Sequence, residues 1–266
     1  MEPMRFDTPA GLRVQAKIPA GQLRVRTHDE DTTELVVDHV KDPGALEVHL
    51  DRVGDGHLLV IEYRVNKFGF FRDGDVVLTL RCPARARIEM SAGSADLDVK
   101  GQLGGIEYRG GSGDVTFDRV SGDVHVKVGS GDVQGARVGG SLLLQGASGD
   151  LQVEAVSRDL EVKTASGDVQ VRAVDGDVSI TSVSGDVILR SLREGRTQIR
   201  SVSGDVLVGV AAGTDVRLDV STTSGEARSD LAMVDAPVEG GRLLDLKVSA
   251  VSGDVRISRA DAREPV

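Results

Sequence analysis

Apolar side chains recur every nine residues through the middle of the chain, and each repeat contains two of them separated by one mostly polar residue. The first apolar position is aliphatic in every repeat: Leu97, Ile106, Val115, Val124, Val133, Leu142, Leu151, Leu160, Val169, Val178 and Val187. The second position is apolar except at Gly135. This alternation, with a period of two, predicts short β-strands that each bury one face.

The residue before the first apolar position, which we call the grid position, gives the repeat its Ser-Gly-Asp-Val signature. It is aspartate in most repeats: Asp96, Asp114, Asp123, Asp132, Asp150, Asp159, Asp168, Asp177 and Asp186, with Gly105 and Ser141 in the remaining two. Alternate repeats place serine two residues earlier, at Ser112, Ser130, Ser148, Ser166 and Ser184, so the longer period is eighteen. An eighteen-residue period predicts an all-β parallel solenoid, with two strands per turn and turns stacked about 4.8 Å apart.

The regular repeat is predicted to cover residues 91–258, although its spacing loosens after Asp186. The grid position then reappears at Arg196, Asp205, Asp215, Glu226, Asp245 and Asp254. The segment 227–240, "ARSDLAMVDAPVEG", interrupts the repeat and predicts an inserted loop. Residues 259–266 are predicted to be a C-terminal tail.

The N-terminal third is less regular but also rich in strand-like segments. Residues 10–90 contain runs such as "LRVQAKI", "HLLVIEYRV" and "DVVLTLRC", separated by turn signals such as "PAG" and "VGDG". We interpret this region as an irregular start of the same solenoid, preceded by a tail at residues 1–9. A separate small β-domain is the alternative.

The Ser-Gly-Asp-Val repeats, the preceding segment "LRCPARARIEMSAGSADLDVKG" and the strand-rich start resemble the bacterial putative-adhesin family of β-strand repeat proteins. The resemblance covers roughly residues 10–258. It implies a right-handed parallel β-solenoid, and it implies no enzymatic activity because the family, a domain of unknown function, has no established catalytic residues. It favours a scaffold or interaction protein of adhesin-like character.

The aspartates of alternate repeats are expected to stack along one edge of the solenoid, in the order Asp96, Asp114, Asp132, Asp150, Asp168, Asp186, Asp205, Glu226 and Asp254. The first interpretation is structural: aspartate and serine bond the backbone N–H groups of each corner, while glycine adopts a positive φ. The alternative is a calcium-binding β-roll, with Asp114, Asp132, Asp150, Asp168 and Asp186 as candidate metal ligands. Each corner offers few oxygens compared with the six to eight that Ca²⁺ prefers, so we predict no metal site.

No catalytic constellation is visible in the sequence. The five histidines, His28, His39, His49, His57 and His125, lack metal-ligand spacing, and no G-x-S-x-G or phosphate-binding loop is present. The single cysteine, Cys82, precedes a proline at a strand end and has no nearby histidine. We therefore predict no catalytic residues, no cofactor and no enzymatic activity. A glycan-binding module and a polysaccharide-active enzyme are the alternatives, because β-helices support both.

Four of the seven aromatic residues lie in the segment "YRVNKFGFFRDGD": Tyr63, Phe68, Phe70 and Phe71. Polar turn residues are expected between two strand-like runs, so this apolar cluster stands out. One interpretation is a hairpin that covers the core of the solenoid. The other makes these four residues candidates for contact with a partner.

Charge limits the classes of partner. With 42 acidic and 32 basic residues the net charge is −10, which argues against nucleic acid and against anionic lipid. No apolar run is long enough to span a membrane, and the N-terminal residues lack the apolar core of a signal peptide, so we expect a soluble cytoplasmic protein. The expected partner is another protein or a second copy of this chain.

Overall fold

The computed structural model describes residues 2–9, 11–64, 75–231 and 241–260 of the 266-residue chain. Within these ranges the fold is all-β, and the helical content is one 3₁₀ turn at Pro43–Ala45. The chain divides into two compact units, residues 1–135 and 136–266. Parallel strands dominate both units, which confirms the predicted β-solenoid.

The strands of the first unit are β1 (Met4–Asp7), β2 (Leu12–His28), β3 (Thr32–His39), β4 (Leu46–Val53), β5 (Gly56–Tyr63), β6 (Asp75–Pro83), β7 (Arg87–Leu103), β8 (Gly105–Ser112), β9 (Val115–Val120) and β10 (Val124–Ser130). Strand β11 (Val133–Val138) spans the boundary between the units.

Strands β2 and β7 are long because each forms both strands of one turn. The first half of β2 pairs with β5 on one side and β7 on the other, and its second half lies between β6 and β7 in the same way. All of these pairings are parallel. Strands β8 and β9 then continue the two sheets beyond β7. The irregular region therefore shares its sheets with the first regular turns.

Antiparallel pairing is confined to the N-terminal edge of the first unit. Strand β4 pairs with β5, and β1 pairs with β3, which pairs with β6. Because hairpins join neighbouring strands by short connections, this part of the chain lacks the eighteen-residue period of the repeat. That difference is the physical reason why the sequence is noisier before residue 90.

The strands of the second unit are β12 (Leu142–Ser148), β13 (Leu151–Val156), β14 (Leu160–Ser166), β15 (Val169–Val174), β16 (Val178–Ser184), β17 (Val187–Leu192), β18 (Gly195–Ser203), β19 (Val206–Val210), β20 (Thr214–Ser224), β21 (Ala227–Ser229), β22 (Arg242–Ser252) and β23 (Val255–Arg259). In this unit even-numbered strands pair with even-numbered strands and odd-numbered strands with odd-numbered strands; we call these two sets of paired strands its two sheets.

Successive turns of the second unit stack in exact parallel register. Leu142 pairs with Leu160, and Leu160 with Val178, so the eighteen-residue period of the sequence is the rise of one turn. The next step is nineteen residues, since Val178 pairs with Thr197. This single extra residue is the loosening that the sequence shows after Asp186.

The last two turns are stacked out of sequence order. Strand β22 pairs with β18 on one side and with β20 on the other, and β23 lies between β19 and β21 in the other sheet. The turn formed by residues 242–259 therefore lies between two turns that precede it in the chain. Within this stack Arg217 pairs with Asp245 and therefore occupies the grid position of its turn. The sequence predicted Asp215 at that position, and the prediction is wrong by two residues.

The predicted insertion at residues 227–240 is wrong in its first three residues. Ala227, Arg228 and Ser229 form β21, which pairs in parallel with β23. A short strand with one alanine carries too little apolar alternation to be recognised in the sequence. Residues 232–240 lie outside the described part of the chain.

The core of each unit consists of the alternate aliphatic positions that the sequence predicted. Val124, Val126, Val162 and Leu189 are all fully buried. In the first unit Phe117 is also buried, and a Cβ atom at Gly135 would lie 2.2 Å from the tip of its ring. The one glycine among the apolar positions therefore makes room for an aromatic ring one turn earlier.

The corner glycines of alternate repeats adopt positive φ angles, as predicted. At Gly167 φ is +121°, and a Cβ atom would lie 2.1 Å from the carbonyl oxygen of Gly149 in the turn below. The equivalent glycines share this conformation: Gly113, Gly131, Gly149, Gly185, Gly204, Gly225 and Gly253. Only glycine avoids both the backbone strain and the contact with the adjacent turn.

We predict that Gly167→Val lowers the free energy of unfolding by at least about 1–3 kcal/mol, because the new side chain strains the backbone and clashes with Gly149. Gln170→Thr, on an exposed position of the adjacent strand, should stay within about 0.5 kcal/mol of the wild type. Denaturant unfolding of both variants measures the difference. Equal stabilities would contradict the assignment of the corner.

Candidate functional site

The aspartate at each corner is bonded to the turns on both sides of it. Asp168 donates its backbone N–H to Oδ1 of Asp150 at 2.8 Å, and its own Oδ1 accepts the N–H of Asp186 at 2.9 Å. Its carbonyl oxygen also accepts the N–H of Leu151 at 2.9 Å. The carboxylate therefore bonds the next turn, eighteen residues away, whereas the sequence analysis placed its partner in the same corner.

We call the set of these carboxylate–amide bonds the aspartate ladder. In the first unit Oδ1 of Asp96 accepts the N–H of Asp114, and Oδ1 of Asp114 accepts that of Asp132, at 3.0 and 2.9 Å. In the second unit the ladder extends from Asp150 through Asp168 and Asp186 to Asp205, and from there to Asp254 and Glu226. These bonds offset part of the repulsion between stacked carboxylates, because each negative charge accepts a hydrogen bond from a backbone N–H.

The order of the ladder follows the order of the turns in space. Oδ1 of Asp205 accepts the N–H of Asp254 at 2.8 Å, and Oδ1 of Asp254 accepts the N–H of Glu226 at 2.9 Å. The sequence predicts these three residues in the ladder, but in the order Asp205, Glu226, Asp254. The predicted order is wrong because the turn of residues 242–259 lies inside the stack.

The opposite edge of the second unit carries a shorter version of the same arrangement. Oδ1 of Asp159 accepts the N–H of Asp177 at 3.0 Å, and Oδ1 of Asp177 accepts the N–H of Arg196 at 2.7 Å. Arg196 occupies the grid position but has no carboxylate, so it cannot offer the same acceptor to the next turn. Of the two edges, the one that carries the main ladder and its serines is the more regular.

In the structure the candidate metal ligands take part in hydrogen bonds between successive turns. In the described ranges, no group of three or more His, Cys, Asp or Glu side chains is placed to hold a metal ion. One carboxylate oxygen of Asp114, Asp150, Asp168 and Asp186 already accepts a backbone N–H. The absence of a metal site at this edge remains a prediction.

Tyr108 lies in the core of the first unit, close enough to the ladder to be affected by its charges. This side chain is fully buried, and its hydroxyl donates a hydrogen bond to the carbonyl oxygen of Ala95 at 2.7 Å. Burial, together with the charges of Asp96 and Asp114, raises the pKa of Tyr108 to about 12. The neutral phenol therefore persists across the ordinary pH range and remains a hydrogen-bond donor.

The predicted partner contacts are only partly within the described residues. Tyr63 pairs with Leu46 at the end of β5, and its side chain is 4% exposed, so it packs in the core. Phe68, Phe70 and Phe71 lie outside the described residues. Their role as a contact site or as a cover for the core stays a prediction.

Cys82 and His125 lie in different environments within the first unit. Cys82 is fully buried, and burial raises the pKa of its thiol to about 12, so it remains a protonated and unreactive thiol. His125 lies on an exposed, outward-facing position of β10. Neither residue has the environment of a catalytic group.

One open pocket in the first unit contains several charged side chains. Lys17, Glu62 and Arg64 line it, together with Tyr63 and residues 91–93. Arg64 bonds the Glu62 carboxylate at 3.3 Å, and this bond is the main reason why the pKa of Glu62 is lowered. A carboxylate held in its charged form by two nearby cations, Arg64 and Lys17, is poorly suited to act as a general acid.

A row of exposed valines beside the ladder escaped the sequence analysis. Val183, Val202 and Val251 are 48%, 47% and 51% exposed and occupy equivalent positions in three adjacent turns. We call these three residues the valine stripe. Each of them directly precedes a serine of the stacked corner. Each also follows an inward position of its strand, so the alternation of the strand predicts that it faces outward.

No helix within the described ranges is long and apolar enough to cross a membrane. Among curated proteins, no match to this sequence is found.

Several solved structures resemble the fold at low sequence identity. A putative adhesin from Bacteroides fragilis is 14% identical, with 96% of this chain and 95% of that chain covered and a TM-score of 0.44. A putative lipid binding protein from Parabacteroides distasonis is 17% identical, with 96% of each chain covered and a TM-score of 0.45. A putative adhesin from Parabacteroides merdae is 10% identical, with 95% of each chain covered and a TM-score of 0.31.

The sequence also matches a family model directly, over residues 17–258. That range includes the irregular strands, the regular repeats and the out-of-order last turns. It confirms the resemblance that the Ser-Gly-Asp-Val repeats suggested. The chain belongs to the Toastrack DUF4097 family.

Proposed function

We propose that this chain is a non-enzymatic scaffold that binds a protein partner on the valine stripe. The observation that carries the proposal is the stripe itself, in which three half-exposed valines of successive turns form a continuous apolar row on a rigid edge. Contiguous apolar patches on a protein surface commonly mark sites of interaction with other proteins.

The geometry of the stripe favours an extended or flat protein surface. Parallel strands place equivalent residues about 4.8 Å apart, so Val183, Val202 and Val251 present a straight row without a deep pocket. Stacked serines, Ser184, Ser203 and Ser252, run alongside and are exposed. An apolar centre beside a row of hydroxyl groups resembles the apolar core and polar rim of protein interfaces.

The proposal assigns no reaction to the chain. Its support is that the carboxylates of the ladder are bonded to backbone N–H groups, while Glu62 in the open pocket is paired with Arg64. The buried thiol of Cys82 has no access to a substrate. Within the same proposal the aspartates are structural and take no calcium, and the cytoplasmic location stays a prediction.

Replacing Val183, Val202 and Val251 together by serine should abolish capture of the partner without loss of stability, because the three side chains are outside the core. The wild-type chain is immobilised and exposed to an extract of its own bacterium, retained proteins are identified by mass spectrometry, and binding is repeated with the purified candidate. The matched control changes three exposed residues of the opposite sheet, Gln152, Gln170 and Arg256, to serine.

The proposal requires that the control triple variant binds like the wild type while the stripe variant does not. Equal binding by all three proteins would exclude the stripe as the contact. A reducing-end assay on a panel of polysaccharides tests the enzymatic alternative in parallel. Turnover by the purified chain would contradict the non-enzymatic assignment.

Salt should stabilise the fold without selectivity for calcium, because screening weakens repulsion along the aspartate ladder. We expect about 0.5 M NaCl to raise the melting temperature by most of the increase that millimolar Ca²⁺ produces. Thermal melts recorded in each salt measure the two increases. A saturable rise at micromolar Ca²⁺ that neither NaCl nor Mg²⁺ reproduces would instead make Asp114, Asp132, Asp150, Asp168 and Asp186 metal ligands.

A further inference from the structure

Strand β20 is the outermost strand of its sheet in the second unit. It pairs with β22 along one side, from Thr214 opposite Arg242 to Ser224 opposite Ser252. Among the described residues, no strand pairs with its other side. This eleven-residue strand contains no proline, and the open edge of such a strand can accept another strand through its backbone.

The inward face of β20 is apolar and incompletely covered. Val216, Leu218 and Val220 pair with Leu244, Leu246 and Val248, which are fully buried in the core. In contrast Leu218 is 39% exposed, and Val216 and Val220 are partly exposed. The core of the second unit therefore ends at β20 with three aliphatic side chains open toward the next position in the stack.

We propose that a second copy of this chain covers this edge, with β20 pairing antiparallel to β20 of the partner about a two-fold axis at Leu218. Such a contact is self-complementary, as a two-fold interface must be. It places Leu218 against Leu218 of the partner subunit and Val216 against Val220 of the partner subunit. The pairing extends the sheet and buries the open apolar face in the same step.

The charges on the outward face of β20 select this register. With the axis at Leu218, Arg217 faces Asp219 of the partner subunit, and the symmetry produces this ion pair twice. Moving the axis by one residue places Arg217 or Asp219 on it, and the strands then bring two arginines or two aspartates together. Like charges directly opposite destabilise a sheet, whereas opposite charges stabilise it.

A two-fold axis midway between Leu218 and either neighbouring residue is excluded for a different reason. It would place Leu218 opposite a charged outward-facing residue and turn one apolar face toward water. In the register that remains, Asp219 lies between two cations. It already pairs with Lys247 of β22 at 2.6 Å, and Arg217 of the partner subunit would approach from the open side.

This interface is separate from the valine stripe and does not depend on it. The stripe lies on the outward face at the serine corners, whereas the proposed contact uses the free edge and inward face of β20. A chain that dimerises but binds no partner protein would support this inference and contradict the proposed function. A chain that binds a partner protein but stays monomeric would contradict this inference and support the proposed function.

The test measures the mass of the full-length chain by light scattering after size-exclusion chromatography, over a range of concentrations. We expect a dimer whose dissociation constant rises at least roughly tenfold in Arg217→Asp and in Asp219→Arg, because each change creates two like-charge pairs. Melting temperatures of the two variants should fall only slightly, since both positions are exposed, although Asp219→Arg also removes the ion pair with Lys247 within its own chain.

Mixing the two variants supplies the decisive control. The Arg217→Asp chain carries two acidic residues at these positions and the Asp219→Arg chain two basic ones, so a mixed pair has opposite charges at both contacts. We expect the mixture to recover the dimer that each variant alone has lost. A wild type that is monomeric at every concentration, or a dimer indifferent to either change, would overturn the proposal.

Discussion

The hydrogen bond that a backbone N–H donates to the aspartate carboxylate of the adjacent turn sets the other requirements of this fold. For Oδ1 of Asp168 to meet the N–H of Asp186, the two turns must be stacked without lateral shift. The turn between them is eighteen residues long, and the turn from Asp186 to Asp205 keeps the same bond with nineteen. At corners such as that of Asp168, the glycine before the aspartate adopts a positive φ, since Gly167 lies against the backbone of Gly149. The aliphatic residue after each aspartate returns the chain to the core. Ser-Gly-Asp-Val is therefore one structural unit whose four positions depend on each other.

This constraint also explains where function can reside. The inward positions are filled by aliphatic side chains, and one oxygen of each carboxylate on the main edge accepts a backbone N–H, so both sets have a structural role. The outward-facing positions and the end of the stack remain as surfaces for contact with other molecules. They carry the two features that the repeat itself does not require, the valine stripe and the open face of β20. The first supports a contact with another protein, and the second a contact with another copy.

Much of the fold could be predicted because the repeat is periodic in both its core and its corners. The eighteen-residue turn, the buried positions and the positive φ of the corner glycines all follow from residue type and spacing. The order of the last two turns does not follow, because Asp205, Asp254 and Glu226 satisfy the pattern equally well in either order. The partner of each carboxylate was also missed, since a local corner bond and a bond between turns use the same residues. Tyr63 looked like part of an exposed aromatic cluster, but β5 buries its side chain.

Amide hydrogen exchange measured by NMR tests the aspartate ladder most directly. The backbone N–H groups of Asp186 and Asp205 lie at an exposed corner, yet both should exchange slowly because carboxylates of the preceding turns accept them. Asp168→Ala should accelerate exchange at Asp186, whereas Asp168→Asn, which keeps the acceptor oxygen, should preserve protection there. Asp205, whose acceptor is Asp186, serves as the internal reference in both variants. Rapid exchange at Asp186 in the wild type, or equal protection in the alanine and asparagine variants, would contradict the role of the ladder in holding the turns together.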